Sequence, residues 1–201
     1  DYLRPSNFNT NPEKSRQVND LLRKIKRQIR VNGGQHSATT HYIYNYGYIP
    51  LWVVVKVLSF GIVCELYSIM KSKDQEEIAE IYNLRVSDLL SFLPILANYR
   101  NLCAHEDILY DNRTAATIET NKYHTMLELP MLDDEYTSGK NDLFALILIM
   151  KFMLTDEEFR LLIKEIDYEK SVLAGKLKVI DIEDVMSFMG FPRDYTKLIE
   201  L

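Results

Sequence analysis

Three polar residues whose side chains could act on a phosphodiester lie within six positions of the chain. Arg100, Asn101 and His105 belong to the stretch NYRNLCAHEDILYDNR, residues 98 to 113, which otherwise reads as an apolar helix. On a helix Asn101 and His105 share a face, and Arg100 is long enough to reach the same place. An imidazole exchanges a proton near neutral pH, a guanidinium binds phosphate through two hydrogen bonds, and an amide can orient the histidine. The set suits metal-free cleavage of RNA.

Such cleavage requires proton transfer and charge neutralisation, because the ribose 2′-hydroxyl attacks its own phosphorus. One histidine supplies half of the proton transfer, so we expect a second copy of the chain, paired across a two-fold axis, to supply the rest. Spacing alone leaves another interpretation open, in which Arg100 and His105 belong to a buried polar network. A similar pair, Arg30 and His36, straddles two glycines, so nothing holds its side chains together.

The composition is that of a globular chain with free thiols. The chain has 201 residues and a net charge of −5, long enough for one substantial core. Cys64 and Cys103 lie in apolar surroundings, which indicates a reducing compartment. No Cys/His spacing typical of a metal site occurs, and no cofactor is expected.

The apolar stretch of residues 51 to 70 has the length of a membrane span. Lys56 and Glu65 would each be costly at the centre of a bilayer, so a buried core helix is the better interpretation. No signal-peptide pattern opens the chain, so we expect a cytoplasmic protein without a membrane partner. The start without Met suggests a fragment of a longer protein.

A basic segment stands out against the acidic average. Residues 11 to 31 hold seven Lys and Arg residues, and Val18, Leu22 and Ile25 recur among them at helical spacing. If this amphipathic helix borders the motif, Arg27 and Arg30 could bind the RNA backbone. The alternative is an ordinary solvated face.

The hydrophobic pattern predicts an all-α fold. Helices are expected at residues 13 to 31, 50 to 70, 74 to 82 and 87 to 109, the last kinked or divided at Pro94, with more helices after residue 141. The expected organisation is an extended lead-in (1–12), a helical core with the motif (13–113), a long mobile connection (114–140), and carboxy-terminal helices packing on the same core (141–201).

The motif and its surroundings resemble a known family. RNLCAH, residues 100 to 105, resembles the RNxxxH motif of HEPN (higher eukaryotes and prokaryotes nucleotide-binding) ribonucleases. Together with PLWVVVKVLSFGIVCELYSIM, residues 50 to 70, it looks like the Abi family of abortive-infection proteins, of the AbiD/AbiF type. The resemblance extends over residues 42 to 113 and weakens over the basic helix.

The resemblance implies a HEPN-like helical bundle with additional carboxy-terminal helices, a homodimer with facing motifs, and a metal-independent RNase that acts in defence against phage. Arg100 would bind the scissile phosphate of single-stranded RNA, Asn101 would orient the site, and His105 would be the general acid or base. Asn112 and Arg113 match an Asn-Arg ending of the family, and Arg113 would support the phosphate or cap a helix.

The chain departs from the family pattern next to the motif. Many relatives carry a second histidine directly after the first, whereas Glu106 and Asp107 follow His105 here, and Asp111 is an extra residue before Asn112. These carboxylates would repel RNA unless they point away or hold Arg113. Two alternatives therefore stay open. One is a helical module that binds RNA or nucleotide without cleaving it, and the other is a toxin neutralised by a protein antitoxin or regulator.

The remaining histidines and aromatic residues have simpler expected roles. His36, His41 and His124 are predicted in loops or at helix ends, with solvated side chains. Trp52 is expected to anchor the core, with base stacking as the alternative. The tyrosines of HYIYNYGYIPLW, residues 41 to 52, are expected to pack a junction between helices, although they could stack on unpaired bases.

Overall fold

A computed structural model describes residues 2–201 and divides them into two compact units, an amino-terminal unit that ends at Val86 and a carboxy-terminal unit from Ser87 to Leu201. In this part of the chain the structure has ten α-helices and one two-stranded hairpin, which confirms the all-α prediction. The boundary at Val86 lies inside the segment 13–113 that the sequence predicts as one core. None of the helices in residues 2–201 is both long enough and apolar enough to cross a membrane.

The amino-terminal unit is built on its first helix. Its helices are α1 (Pro12–Asn32), α2 (Ser37–Tyr46), α3 (Leu51–Val54), α4 (Phe60–Ser68) and α5 (Ser72–Glu80). The Asn11 side chain caps α1 by accepting a hydrogen bond from the Glu13 N–H, and Pro12 occupies the first turn. Val18, Leu22 and Ile25 are buried in the core of this unit, as the amphipathic pattern predicts. The opposite face of α1 therefore carries its basic residues toward solvent.

The lead-in is also more structured than its composition indicates. A 3-10 turn spans Pro5–Asn7, and Phe8 is buried in the core of the unit. The Asn9 N–H donates to the Ile69 carbonyl at 2.9 Å, so the start of the chain is anchored at the end of α4.

The prediction of one continuous helix over residues 50 to 70 is wrong. The structure divides it into α3 and α4, and Ser59 caps α4 by accepting from the Ile62 N–H. Two side chains of α1 bind the backbone at the break: Gln28 accepts from the Ser59 N–H at 2.9 Å, and Asn32 donates to the Val57 carbonyl at 3.2 Å. These long-range contacts satisfy the peptide groups that the break leaves open.

The carboxy-terminal unit contains the helix that carries the motif. Its elements are α6 (Val86–Ala104), α7 (Lys122–Met126), the hairpin of β1 (Met131–Leu132) and β2 (Glu135–Tyr136), α8 (Leu143–Met153), α9 (Asp156–Ala174) and α10 (Ile182–Phe188). Its buried side chains include Phe92 of α6, Phe144 and Leu148 of α8, and Phe159 of α9. Pro94 is exposed and does not divide α6.

The segment 114–140, predicted as a long mobile connection, contains α7 and the hairpin. His124 of α7 is fully buried, where its Nε2–H donates to the Gly139 carbonyl at 2.9 Å. The Gly139 N–H in turn donates to the Asp142 carboxylate, which also caps α8 through the Ala145 N–H at 2.9 Å. Buried polar contacts of this kind fix the segment to the start of α8.

Candidate functional site

The three motif residues lie at the carboxyl end of α6, and all three are exposed. Arg100 Nη1 donates to Asn101 Oδ1 at 3.2 Å. This contact couples the guanidinium to the amide, and it leaves the other guanidinium donors available to a ligand. The buried polar network that spacing alone left open is therefore not the arrangement of these side chains.

The packing of α6 explains why the motif faces outward. Leu89, Phe92, Ile95 and Tyr99 are buried, and they define the core side of the helix. At about 100° per residue, Asn101 and His105 fall on the side opposite Tyr99 and within about 40° of each other. The same periodicity that buries the apolar face places the amide and the imidazole together on the outer face.

The helix ends earlier than predicted, at Ala104 instead of near Leu109. The Asp107 N–H bonds to the Leu102 carbonyl at 2.9 Å, and the Glu106 N–H bonds to the Cys103 carbonyl at 3.4 Å. Glu106 has a left-handed backbone with φ 57°. This hydrogen-bond pattern with a left-handed residue is the Schellman motif that terminates helices.

His105 remains attached to the helix although it follows the last helical residue. Its N–H bonds to the Asn101 carbonyl at 3.0 Å, as in one further turn of α6. Within residues 2–201 its imidazole has neither a hydrogen-bond nor an ion-pair partner. The ring is therefore positioned by its backbone, and both of its nitrogens are available to a bound molecule.

Asn112 contacts the two residues of α6 that directly precede the motif. Its Nδ2 donates to Asn98 Oδ1 at 3.1 Å, and its carbonyl accepts from the Tyr99 hydroxyl at 3.2 Å. Burial raises the pKa of Tyr99, so the phenol stays protonated and donates. Asn112 thus closes the loop after the motif.

Arg113 contacts the other end of its unit. Its Nη2 donates to the carbonyl of Phe188, the last residue of α10, at 2.6 Å. A cation at a helix carboxyl terminus is favourable because the last carbonyls have no partner within the helix. Of the two roles that the resemblance implied for Arg113, this contact supplies the capping geometry.

Arg27 and Arg30 are exposed on α1, in the amino-terminal unit. Arg27 lines a shallow groove of about 280 Å³ with Lys24, Gln28 and Asn32. Lys24 is paired with Glu65 of α4 at 2.9 Å. The sequence singled out both arginines by their charge, and the structure shows that both side chains are accessible.

One histidine was misassigned. The sequence predicts a solvated His124, but the side chain is buried. It completes the capping box of α7, in which the His124 Nδ1 accepts from the Asn121 N–H at 3.2 Å. Burial lowers its pKa, which keeps it neutral. The burial of His124 is possible because both ring nitrogens have hydrogen-bond partners. No local sequence pattern predicts this burial.

The two cysteines differ in accessibility. Cys103 is exposed between Asn101 and His105, whereas Cys64 is buried in α4. Burial raises the pKa of the Cys64 thiol to about 11. Because the thiolate is the reactive form, Cys64 is chemically inert at neutral pH.

Comparison with known proteins places the motif inside a family region. A model of the family described as Abi-like protein matches residues 1–111, more than half of the chain, from the lead-in through α6 and the loop that follows it. No curated protein and no solved structure matches the chain.

Proposed function

The chain belongs to the Abi-like protein family, and on this premise we propose that it acts in abortive infection, a defence against phage, as a metal-independent endoribonuclease of the HEPN type. The observation that carries the proposal is the exposed set of Arg100, Asn101 and His105 at the end of α6, with Arg100 bonded to Asn101. Each residue type matches one requirement of RNA cleavage through the 2′-hydroxyl.

The chemistry divides among the three side chains. The 2′-hydroxyl attacks the adjacent phosphorus, the bond to the 5′-oxygen breaks, and a 2′,3′-cyclic phosphate forms. His105 takes the proton from the nucleophile or donates one to the leaving oxygen. Arg100 neutralises charge on the phosphoryl oxygens, and Asn101 holds the guanidinium in place.

One protomer supplies one imidazole, although the reaction uses both a base and an acid. We therefore propose that two copies pair with their α6 ends facing each other, so that each composite site contains two His105 side chains. Exposure of the motif is compatible with such pairing, because residues of an interface are exposed in an isolated chain.

The proposal is tested by cleavage of end-labelled single-stranded RNA in EDTA. We expect products with cyclic phosphate ends, and we expect His105→Ala to abolish cleavage without changing the sedimentation behaviour of the protein. Cys103→Ala is the matched control, because Cys103 is also exposed at the end of α6 but has no role in the proposed chemistry. Arg100→Lys should cleave more slowly than the parent, since lysine cannot form two parallel bonds to phosphate. Cleavage by His105→Ala at the parental rate would refute the proposal.

A second candidate is a module that binds RNA without cleaving it. The observation that favours it is the run of acidic residues after the motif, since Glu106, Asp107 and Asp111 are all exposed. Carboxylates beside a phosphate site weaken its hold on an anion. If neither the parent nor His105→Ala cleaves RNA but both bind it with equal affinity, this second function is correct.

A further inference from the structure

We propose that the amino-terminal unit carries its own binding surface for an unpaired RNA strand, formed by the end of α1 together with α2 and α3. Bases would stack on exposed aromatic rings, and phosphates would bind the adjacent cations. The inference rests on the proposed function for the choice of RNA, but it does not depend on cleavage at His105.

The first observation is a group of aromatic side chains left in solvent. Trp52 is 55% exposed, and the tyrosines Tyr46 and Tyr48 are 60% and 59% exposed. The sequence predicted that Trp52 would anchor the core and that the tyrosines would pack a helix junction, and both predictions are wrong for these rings. An exposed cluster of large rings usually marks a binding surface.

The rings orient one another. Tyr42 lies edge-on to Trp52 with ring centroids 5.6 Å apart, and it lies 5.4 Å from the ring of Tyr46. Tyr46 is followed by Tyr48 at 6.5 Å. These contacts hold the rings in place while their outer faces stay open, which is the form of a stacking platform.

The second observation is a cation that links the rings to a polar groove. Lys56 Nζ lies 5.4 Å from the centre of the Trp52 ring. Lys56 also lines a groove of about 360 Å³ together with Gln28, Asn32 and His36.

The groove continues along α1. The neighbouring groove that holds Lys24 and Arg27 shares Gln28 and Asn32 with the first one. Cations and aromatic rings therefore follow each other on one continuous surface within the amino-terminal unit, from Arg27 through Lys56 to Trp52. An unpaired strand offers the same alternation, with phosphates on one side and bases on the other.

The third observation decides between RNA and other partners. Residues 21 to 64 contain six Lys and Arg residues but no Asp or Glu, although the whole chain has 29 acidic residues and a net charge of −5. Arg23 and Lys24 pair with the flanking carboxylates of Asp20 and Glu65, and within the described residues Lys26, Arg27, Arg30 and Lys56 make no ion pair. A second copy that docked through the same surface, as in a two-fold dimer, would bring like charges together. A polyanion has the complementary charge, and the exposed rings select one whose base faces are not covered by pairing.

The chain offers a built-in probe, because Trp52 is its single tryptophan. We would titrate the full chain with a 12-nucleotide 2′-O-methyl oligouridylate, which lacks the attacking hydroxyl and stays uncut. We expect its binding to change the Trp52 fluorescence. By anisotropy of a labelled probe, Trp52→Ala and Lys56→Ala should each lose roughly tenfold in affinity, the order expected for one lost base stack or phosphate contact.

Four comparisons make the test specific. Tyr168→Ala removes an exposed tyrosine of α9 and should leave affinity unchanged. Tyr46→Ala, at the tyrosine that contacts both Tyr42 and Tyr48, should weaken binding even if Trp52→Ala folds poorly, and Trp52→Phe should retain most of the affinity. A duplex of the same length should bind more weakly than the single strand.

The outcomes separate this inference from the nuclease. Probe binding with unchanged fluorescence and unchanged affinity in all three alanine variants of the surface would overturn it, as would the absence of probe binding. A concentration-dependent change in Trp52 fluorescence without RNA, accompanied by dimerisation that Trp52→Ala abolishes, would also overturn it and would assign the surface to a second copy. If His105→Ala cleaves as the parent does but the Trp52 signal responds to the probe, the nuclease is refuted and the surface stands.

Discussion

Replacing Glu106 with glycine should stabilise the protein and increase the proposed cleavage of RNA through two separable effects. Glu106 has φ 57° at the end of α6, a conformation that costs an L-residue about 1–2 kcal/mol. Glycine adopts this conformation freely, but it also increases the conformational entropy of the unfolded chain, which lowers the free energy of unfolding by roughly 0.4–1 kcal/mol. The net gain is about 0.5–1 kcal/mol, which raises the thermal midpoint by about 1–4 °C in a chain of this length.

The same substitution removes a carboxylate next to His105. A unit charge roughly 8 Å from another in water is worth about 0.5 kcal/mol, or about a twofold change in affinity for an anion. We therefore expect kcat/KM for RNA to rise about twofold at low ionic strength and the gain to disappear at high salt, because exposed charges are screened.

Two control variants separate the backbone effect from the charge. Glu106→Ala removes the charge but keeps a side chain at the left-handed position, so it should gain activity without the gain in stability. Glu128→Gly changes the same residue type at φ 49°, after α7, where the Leu129 N–H bonds to the His124 carbonyl in the same pattern. It should gain stability without a gain in activity.

Calorimetry and a fluorescent RNA cleavage assay on the four proteins would measure both quantities. The backbone reasoning is refuted if Glu106→Gly melts no higher than Glu106→Ala while Glu128→Gly melts higher than the parent. The charge reasoning is refuted if neither variant of Glu106 changes the salt dependence of cleavage.

Three further predictions concern the carboxy-terminal unit. Asp142→Ala should destabilise this unit by about 2–4 kcal/mol, because it removes the cap of α8 and the acceptor of the buried Gly139 N–H. Urea denaturation would measure this loss. The control Asp181→Ala removes the exposed cap of α10 and should destabilise the unit less. Burial lowers the pKa of His124 from 6.5, so as the pH falls the unfolded chain takes up this proton before the folded chain does. The free energy of unfolding should therefore decrease as the pH falls below about 6.5. The denaturation midpoint of His124→Ala should depend less on pH over that range. Arg113→Ala should lower the thermal midpoint by a few degrees, because the last carbonyl of α10 loses its donor.

The parts of the fold that follow local rules could be predicted from the sequence. The spacing of Val18, Leu22 and Ile25 defines the buried face of α1. Thr155 and Glu158 form the capping box that the pattern TDEE predicts at the start of α9. Arg100, Asn101 and His105 were identified by type and spacing, and their exposure follows from the period of the helix.

The errors occur where distant residues or unusual backbone decide the structure. Gln28 and Asn32 bind the backbone at the break between α3 and α4, and nothing in the apolar run itself marks that break. The sequence predicts too late an end for α6, because Glu106 occupies the left-handed position that glycine usually marks. After α10 the same left-handed position is occupied by Gly190, as the rule expects. His124 is buried through a partner fifteen residues away, which composition cannot show.

The contrast between the two thiols has a practical consequence. Because Cys103 is exposed beside the motif and Cys64 is buried and protonated, a maleimide spin label should react at one position of the unmodified chain. Pulsed electron paramagnetic resonance would then detect a dipolar coupling between two labels when paired copies bring their α6 ends within its range. The proposed pairing of two copies can therefore be tested by one intermolecular distance, with no substitution in the chain.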